Sequence, residues 1–274
     1  MKYIAILLAT YNSQRYLEQL IDSLLKQTVS NWVLYIRDDG SSDSTLNIIA
    51  KYLHNENVIL LEDFHKKRGA KDSFIWLLKN VTADYYMFCD HDDIWLPNKI
   101  KLSYEKMINL ELVNSNIPII VHSDLIVVDE NLHVISNSFW EYSKINPNFN
   151  TFDFLSAYNN ITGCTMIINN FAKQVSLSIP NYAPMHDIWI ALCVSFHNGT
   201  IGYIKEPQIL YRQHTDNAIG AIEKVTHFDN LFKFKEVLKS NANLFKTVCY
   251  LRKISVVRFV ANKLYYKTKL ILST

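Results

Sequence analysis

Ile4-Ala5-Ile6-Leu7-Leu8-Ala9-Thr10-Tyr11-Asn12 is the stretch on which the fold turns. Its first six residues are apolar without alternation, the pattern of a strand covered on both faces. Asn12 or Ser13 then offers a helix cap, and Leu17, Leu20, Ile21, Leu24 and Leu25 follow at helical spacing. Val33–Ile36 repeats the strand pattern and ends in Arg37-Asp38-Asp39-Gly40-Ser41-Ser42-Asp43, a polar turn able to cap a helix bearing Leu46, Ile49 and Leu53. Val58–Leu61, a helix containing Ser73–Leu78, and the strand Tyr85–Cys89 continue the alternation. Such repetition predicts an α/β fold with a parallel, Rossmann-like sheet, its ligands beyond the carboxyl ends of the strands. Further on, Ile119–His122, Leu125–Val128, Gly163–Ile168, Thr200–Ile204 and Gln208–Arg212 read as strands, with loop through Pro147. Asp187–Phe196 reads as a helix opened by Met185-His186.

Size and composition narrow the class. The chain has 274 residues, 49% hydrophobic and 20% charged, enough to bury a substantial core. Cys89, Cys164, Cys193 and Cys249 form no CxxC pair, which argues against structural zinc and fits a reducing compartment. The start is too short and wrongly flanked for a signal peptide, and no apolar run reaches the ~18 residues of a membrane span. A cytoplasmic protein is expected. The net charge of +2 conceals an asymmetry: residues 228–274 carry +8 and the remainder −6. Phe232, Phe234, Phe245, Tyr250, Phe259, Tyr265 and Tyr266 interleave with those cations. The expected division is a catalytic domain over 1–220 and a basic amphipathic helical region over 221–274. The tail suits an anionic membrane surface, peripheral at the inner face of the plasma membrane. The competing reading is a helical hairpin packed on the body with a solvated basic face. Nucleic acid is not expected, because no base-reading module accompanies the charge.

The acids carry the chemistry. Tyr85-Tyr86-Met87-Phe88-Cys89 runs into Asp90-His91-Asp92-Asp93-Ile94-Trp95, three carboxylates within four residues at a strand end. Carboxylate oxygens suit Mg²⁺ or Mn²⁺, and a solvated helix-capping turn is the alternative. Thr10-Tyr11-Asn12, Asp38-Asp39 and Asp90–Asp93 all follow strands at one sheet edge, which favours a ligand site. Neither GxGxxG nor GxxxxGK[ST] is present, so neither a dehydrogenase nor a P-loop site is expected. Arg68-Gly69-Ala70-Lys71 supplies cations and flexible backbone for a diphosphate, whereas Lys66 and Lys67 read as an ordinary basic loop.

The ordered set Ala9-Thr10-Tyr11-Asn12, Arg37–Asp43, Asp90–Trp95 and His186-Asp187 resembles the family-2 inverting glycosyltransferases of the GT-A fold over residues 1–217. Phe88–Pro97 and Glu206–Asn217 are similar to its rhamnosyltransferase-like branch, which builds cell-surface polysaccharides. The resemblance implies a Rossmann-like mixed sheet flanked by helices, with the basic helical region appended. It implies that Thr10, Tyr11 and Asn12 line a nucleotide pocket and that Asp39 accepts from base or ribose. Asp90 and Asp92 match the DxD motif, with Asp92 the first choice of metal ligand and His214 joining near the diphosphate. Asp93 orients the sugar or caps the next helix. Asp187 matches the catalytic base, a carboxylate that takes the acceptor hydroxyl proton during a single inverting displacement. Its position at a helix start makes capping the competing role. Gly163, Cys164, Thr165 and His186 border the acceptor, and Trp95 and Trp189 offer sugar-stacking faces unless they are simply core. The implied partners are a nucleotide-diphosphate sugar, possible donors including dTDP-rhamnose, and a saccharide or lipid-linked saccharide acceptor. A nucleotidyltransferase and a non-catalytic nucleotide-sugar-binding protein are the alternatives.

Overall fold

In the computed structural model, residues 2–64, 67–214 and 230–272 are described, without the side chains of 230–236 and 271–272. Lys66, Thr215, Asp216, Asn217 and the expected boundary at 220/221 lie outside the described residues. The elements run β1 (Ile4–Thr10), α1 (Leu17–Leu25), β2 (Trp32–Asp38), α2 (Thr45–Tyr52), β3 (Val58–Leu60), α3 (Ala70–Asn80), β4 (Tyr85–Cys89), β5 (Ile94–Trp95) and α4 (Lys99–Val113). Then come β6 (Ile119–Ser123), β7 (Ile126–Val128), β8 (Val134–Ser136), α5 (Phe139–Tyr142), α6 (Phe152–Leu155), β9 (Ile167–Asn169), α7 (Asn170–Ser176) and α8 (His186–Phe196). β10 (Thr200–Ile204), β11 (Ile209–Arg212), α9 (Asn230–Leu251) and α10 (Val256–Leu272) follow.

Seven strands form the main sheet in the order β10-β6-β9-β4-β1-β2-β3. Two-sided burial is visible residue by residue. Ile4, Ile6 and Leu8 join the core beneath α1, α2 and α4, while Ala5 and Leu7 join the core beneath α3 and α8. β4 divides likewise, with Tyr85, Met87 and Cys89 on one side and Tyr86 and Phe88 on the other. Each such large side chain contributes about 1.5–3 kcal/mol of burial.

The sheet is mixed, as the family resemblance implied; the strand-helix repetition of the first 100 residues predicts only its parallel part. β9 runs antiparallel to both β4 and β6. The segment before it ends at the carboxyl edge, where Cys164 meets Asp90 and Asp93, so β9 starts there and runs back. Gly163–Thr165 is a 3₁₀ turn feeding this strand and not part of it, a correction to the Gly163–Ile168 reading. A second sheet, β5-β11-β7-β8, draws on that same region. The loop expected through Pro147 therefore contains β8 and α5. Neither Asn12 nor Ser13 caps α1: its first-turn N-cap position is Tyr16, and no side chain caps it.

The C-terminal helices pack on the body. Thr247, Val248 and Phe259 are buried, Tyr266 meets Phe154 edge-on at 5.2 Å, and the Tyr158 hydroxyl donates to the Lys263 carbonyl at 3.1 Å. Arg252 pairs with Asp153 and lies over the Phe152 ring at 4.2 Å. No helix among the described residues is long and apolar enough to cross a membrane.

Candidate functional site

β1, β2 and β4 deliver their trailing residues to one edge, and there the predicted groups gather. The Thr10 hydroxyl donates to Asp38 Oδ1 at 2.9 Å, and the other Asp38 oxygen accepts from the Gly40 and Ser41 amides. Asn12 takes a left-handed conformation (φ 47°), which turns the chain so that its Oδ1 accepts from the Ser42 amide at 2.9 Å. Tyr11 stands half-exposed at this rim. The β1 and β2 loops thus lock one another, which fixes the backbone that a nucleotide would meet.

Asp39 is buried and held by three donors: Arg37 Nη1 at 2.6 Å, Arg68 N at 2.6 Å and Gly69 N at 2.8 Å. Burial alone would raise its pKa, but the Arg68 amide, the Arg37 guanidinium and the Gly69 amide outweigh that and hold it low. An ionised carboxylate accepts about four hydrogen bonds, so roughly one position remains for a ligand. Arg37 and Arg68 both bond Asp63, at 2.9 and 2.5 Å. Arg68 therefore contributes its backbone to Asp39, while its guanidinium is engaged by Asp63. Gly69 sits at φ 78°, a conformation that favours glycine, where α3 begins. Lys71 points elsewhere: its Nζ donates to the carbonyls of Asn181 (2.6 Å) and Ala183 (3.3 Å), so the diphosphate role expected of it is not supported.

The acidic loop separates into two sets. Asp92 Oδ2 lies 2.9 Å from His214 Nε2. Burial opposes its ionisation, but the His214 contact and the neighbouring His91 keep its pKa low. Asp90, Asp93 and the Cys164 sulfur form the other set, with potential ligand atoms within 4.8 Å of one another. Asp90 is raised to about 7 by burial and by the Asp92 and Asp187 charges. Asp93 is fully buried and pushed well above the carboxylate range by burial and by the Asp92 and Asp90 charges. Its Oδ1 accepts the Arg212 amide at 3.2 Å, whereas its Oδ2 has no nitrogen or oxygen donor among the described residues. The Cys164 thiol is pushed up by burial and stays protonated, a poor ligand for a hard cation. Carboxylates crowded together with their ionisation suppressed fit a divalent cation, and Asp90 and Asp93 are the pair whose oxygens come together here.

Arg212 organises this loop. Its Nε donates to the Asp92 carbonyl at 2.8 Å, Nη1 to the Glu130 carbonyl at 2.7 Å and Nη2 to Gln19 Oε1 at 2.7 Å. It also lies 4.3 Å from the Tyr16 ring, which in turn faces His214 at 5.0 Å. The sequence reading missed Arg212. A lone arginine ending a strand gives no signal until its distant carbonyl partners are known.

Asp187 opens α8 beside Gly163. Burial raises its pKa to about 6, opposed by the amides of Ile188 and Gly163 and by the Asn159 side chain. Its Oδ1 accepts from the adjacent Ile188 amide at 2.7 Å, whereas the N-cap position of α8 is Met185 and no side chain caps it. Gly163 is tight: a Cβ there would come within 3.0 Å of His186 Nε2. His186 is buried against the Phe74 and Phe88 rings (4.3 and 5.0 Å) and forms a wall behind Asp187. Burial lowers its pKa to about 3, so the imidazole is neutral. Cys164 and Thr165 are buried, with the Thr165 hydroxyl turned to the Thr162 carbonyl at 2.7 Å. The two tryptophans are corrected. Trp95 is 2% exposed beneath Lys99, and Trp189 is 1% exposed with its indole donating to the Ser176 carbonyl at 2.7 Å. Neither presents a face to a sugar; both are core.

A family model described as "Glycosyl transferase family 2" matches residues 5–175. The chain is 27% identical over 228 residues to "dTDP-rhamnosyl transferase RfbG" of Shigella flexneri, covering 78% of this chain and 74% of that one. It is 30% identical over 122 residues to the "UDP-Glc:alpha-D-GlcNAc-diphosphoundecaprenol beta-1,3-glucosyltransferase WfgD" of Escherichia coli, covering 41% and 47%. It spans 57% of a further glycosyltransferase relative from Rickettsia typhi. The fold superposes on S. aureus TarS 1–349 in complex with UDP-GlcNAc with a TM-score of 0.60 at 15% identity, over 91% of this chain and 71% of that one.

Proposed function

This chain belongs to glycosyl transferase family 2, and from that premise we propose that it transfers a sugar from a nucleotide diphosphate to a saccharide hydroxyl with inversion. The observation that carries the reading is Asp187, a carboxylate kept basic by burial, within electrostatic reach of the acidic loop. Asp187 takes the acceptor proton as the hydroxyl oxygen attacks the anomeric carbon, and the donor's diphosphate leaves from the opposite face. Asp39, the Arg68 and Gly69 amides, and the Thr10–Asn12 turn orient the nucleoside. Asp90 and Asp92, backed by His214 and anchored through Arg212, hold the diphosphate end with its cation. When bound, Mg²⁺ or Mn²⁺ neutralises charge growing on the departing nucleoside diphosphate. The His186–Gly163 wall backs Asp187 on one side.

For the donor, the similarity to RfbG supports dTDP-rhamnose as the first candidate. For the acceptor, the WfgD similarity supports a lipid-linked saccharide. A thermal-shift panel of dTDP- and UDP-sugars, with and without Mn²⁺, tests the reading. A true donor at about 100 times its Kd stabilises the fold by ~2.7 kcal/mol, and only with metal. Stabilisation by nucleoside triphosphates with release of pyrophosphate would favour nucleotidyl transfer instead.

A lipid-linked acceptor fits the outer face of α10. Val256, Val257, Val260 and Leu264 are exposed there, among Lys253, Arg258 and Lys267. Apolar stripe and cations together suit an anionic membrane lying alongside the body. Because α9 and α10 pack on the body, removing them would open its core. Two charges on the stripe are the cleaner test: Val257→Glu with Leu264→Glu is expected to reduce co-sedimentation with phosphatidylglycerol vesicles at unchanged Tm. Undiminished co-sedimentation would overturn the membrane role.

A further inference from the structure

A cavity of about 630 Å³, lined by none of Asp90–Asp93, lies beyond the carboxyl ends of β6 and β10. Its volume lies within the ~300–1,000 Å³ usual for small-molecule sites. Trp140 and Tyr203 form an aromatic corner with ring centroids 5.7 Å apart, close to edge-on at 82°. Behind them, His122 is buried without hydrogen-bond partners among the described residues, and burial keeps it neutral. The corner is fixed from the other side too: the Tyr203 hydroxyl donates to Asn148 Oδ1 at 2.9 Å, and the Asn148 amide nitrogen donates to Asn146 Oδ1 at 3.1 Å. Asn137, Glu141, Lys144 and Lys205 complete the rim.

This chemistry is selective by class. Tyr203, partly exposed and backed by the 8%-exposed Trp140, offers aromatic carbon beside amides, which suits a polyol whose ring carbons stack while its hydroxyls both donate and accept. The mixed-sign rim is poorly matched to a bare phosphate, and the polar lining is poorly matched to a lipid tail. Position adds a second argument. Along the sheet edge, the nucleotide residues follow β1 and β2, the acids follow β4, Gly163 precedes the neighbouring β9, and the cavity follows β6 and β10. The cavity is therefore on the far side of Asp187's neighbour Gly163 from the nucleotide.

We infer that this cavity is a saccharide subsite that holds the acceptor's sugar beyond the ring carrying the attacking hydroxyl. The inference rests on the glycosyl-transfer reading for the word acceptor, but saccharide binding is measurable without it. The chain's five tryptophans allow a direct readout by indole ¹⁵N NMR. Trp140 lines the cavity, and Trp76 lies over Arg37 at 5.8 Å, on the nucleotide side. The probes are L-rhamnose, cellobiose, maltotriose and N,N′-diacetylchitobiose, with UDP or dTDP plus Mg²⁺ as the nucleotide arm. At least one saccharide is expected to shift the Trp140 signal and leave Trp76 unmoved. Asn148→Ala combined with Lys205→Ala is expected to weaken that binding at least fivefold and leave the nucleotide response unchanged. No Trp140 response to any saccharide, or full binding by the double variant, overturns the subsite. A silent nucleotide arm would instead undo the donor-site reading, so the two failures are separable.

Discussion

Asp187→Asn is expected to lower sugar transfer by roughly 10²–10⁴-fold, the usual share of a positioned general base, while nucleotide-sugar binding stays intact. Asparagine preserves the shape of the side chain and its acceptor oxygen for the Ile188 amide, so α8 still begins at the same place. What disappears is the basic oxygen. The same carboxylate sets the pH response. Its pKa near 6 reflects burial that exceeds the opposing amides of Ile188 and Gly163. The ionised form is the active base, so transfer falls as pH drops through about 6, tenfold per unit below it. Asp90, raised to about 7, titrates in the same region when no cation is present. Rates are therefore measured at saturating Mn²⁺, which displaces that proton. Undiminished transfer by the asparagine variant, or a flat profile down to pH 4.5, would remove Asp187 as the base.

The second large effect is expected at Asp92. Asp92→Ala should weaken metal-dependent nucleotide binding on the order of a hundredfold, as loss of a supporting metal group does. Asp92 is ionised, lies 2.9 Å from His214 and anchors that ring against Tyr16. The backbone of the loop does not depend on the carboxylate, because Arg212 Nε bonds the Asp92 carbonyl. The fold should survive, and calorimetric titration of dTDP or UDP with Mn²⁺ reads the loss. Asp93→Asn is the informative comparison. Asp93 is fully buried, held neutral, and accepts the Arg212 amide, a bond the asparagine oxygen keeps, so its replacement should change Tm and metal-dependent affinity little. If metal-dependent binding instead survived Asp92→Ala and vanished in Asp93→Asn, the holding pair would be Asp90 and Asp93.

The unequal legibility of the sequence has physical causes. The strands beneath the site were readable because two-sided burial leaves an uninterrupted apolar run, as in Ile4–Ala9 and Tyr85–Cys89. The gathering of Thr10, Asp39 and Asp90 at one edge followed from the parallel order of β1, β2 and β4. The start of β9 was placed too early, at Gly163, because a buried 3₁₀ turn over Gly163–Thr165 and a three-residue strand share one apolar pattern. Lys71 was assigned by charge and proximity in sequence, yet its long side chain reaches two carbonyls over a hundred residues away. Trp95 and Trp189 illustrate the same limit: residue type suggested stacking, and burial assigned them to packing. His186 lies next to Asp187 in sequence but faces Phe74 and Phe88, because neighbours on a helix point in different directions.

Arg212 also has a consequence for synthesis. Its amide and guanidinium reach Asp93 and Asp92 across 119 and 120 residues of chain. A nascent polypeptide that has released only its first 200 residues holds the acidic loop without its fastener, the three carboxylates repelling one another. Closing so long a loop is slow and entropically costly. The donor end of the site is thus assembled late, when the last core strand docks, and a ribosome-stalled fragment ending before residue 212 should have the sheet but no nucleotide affinity.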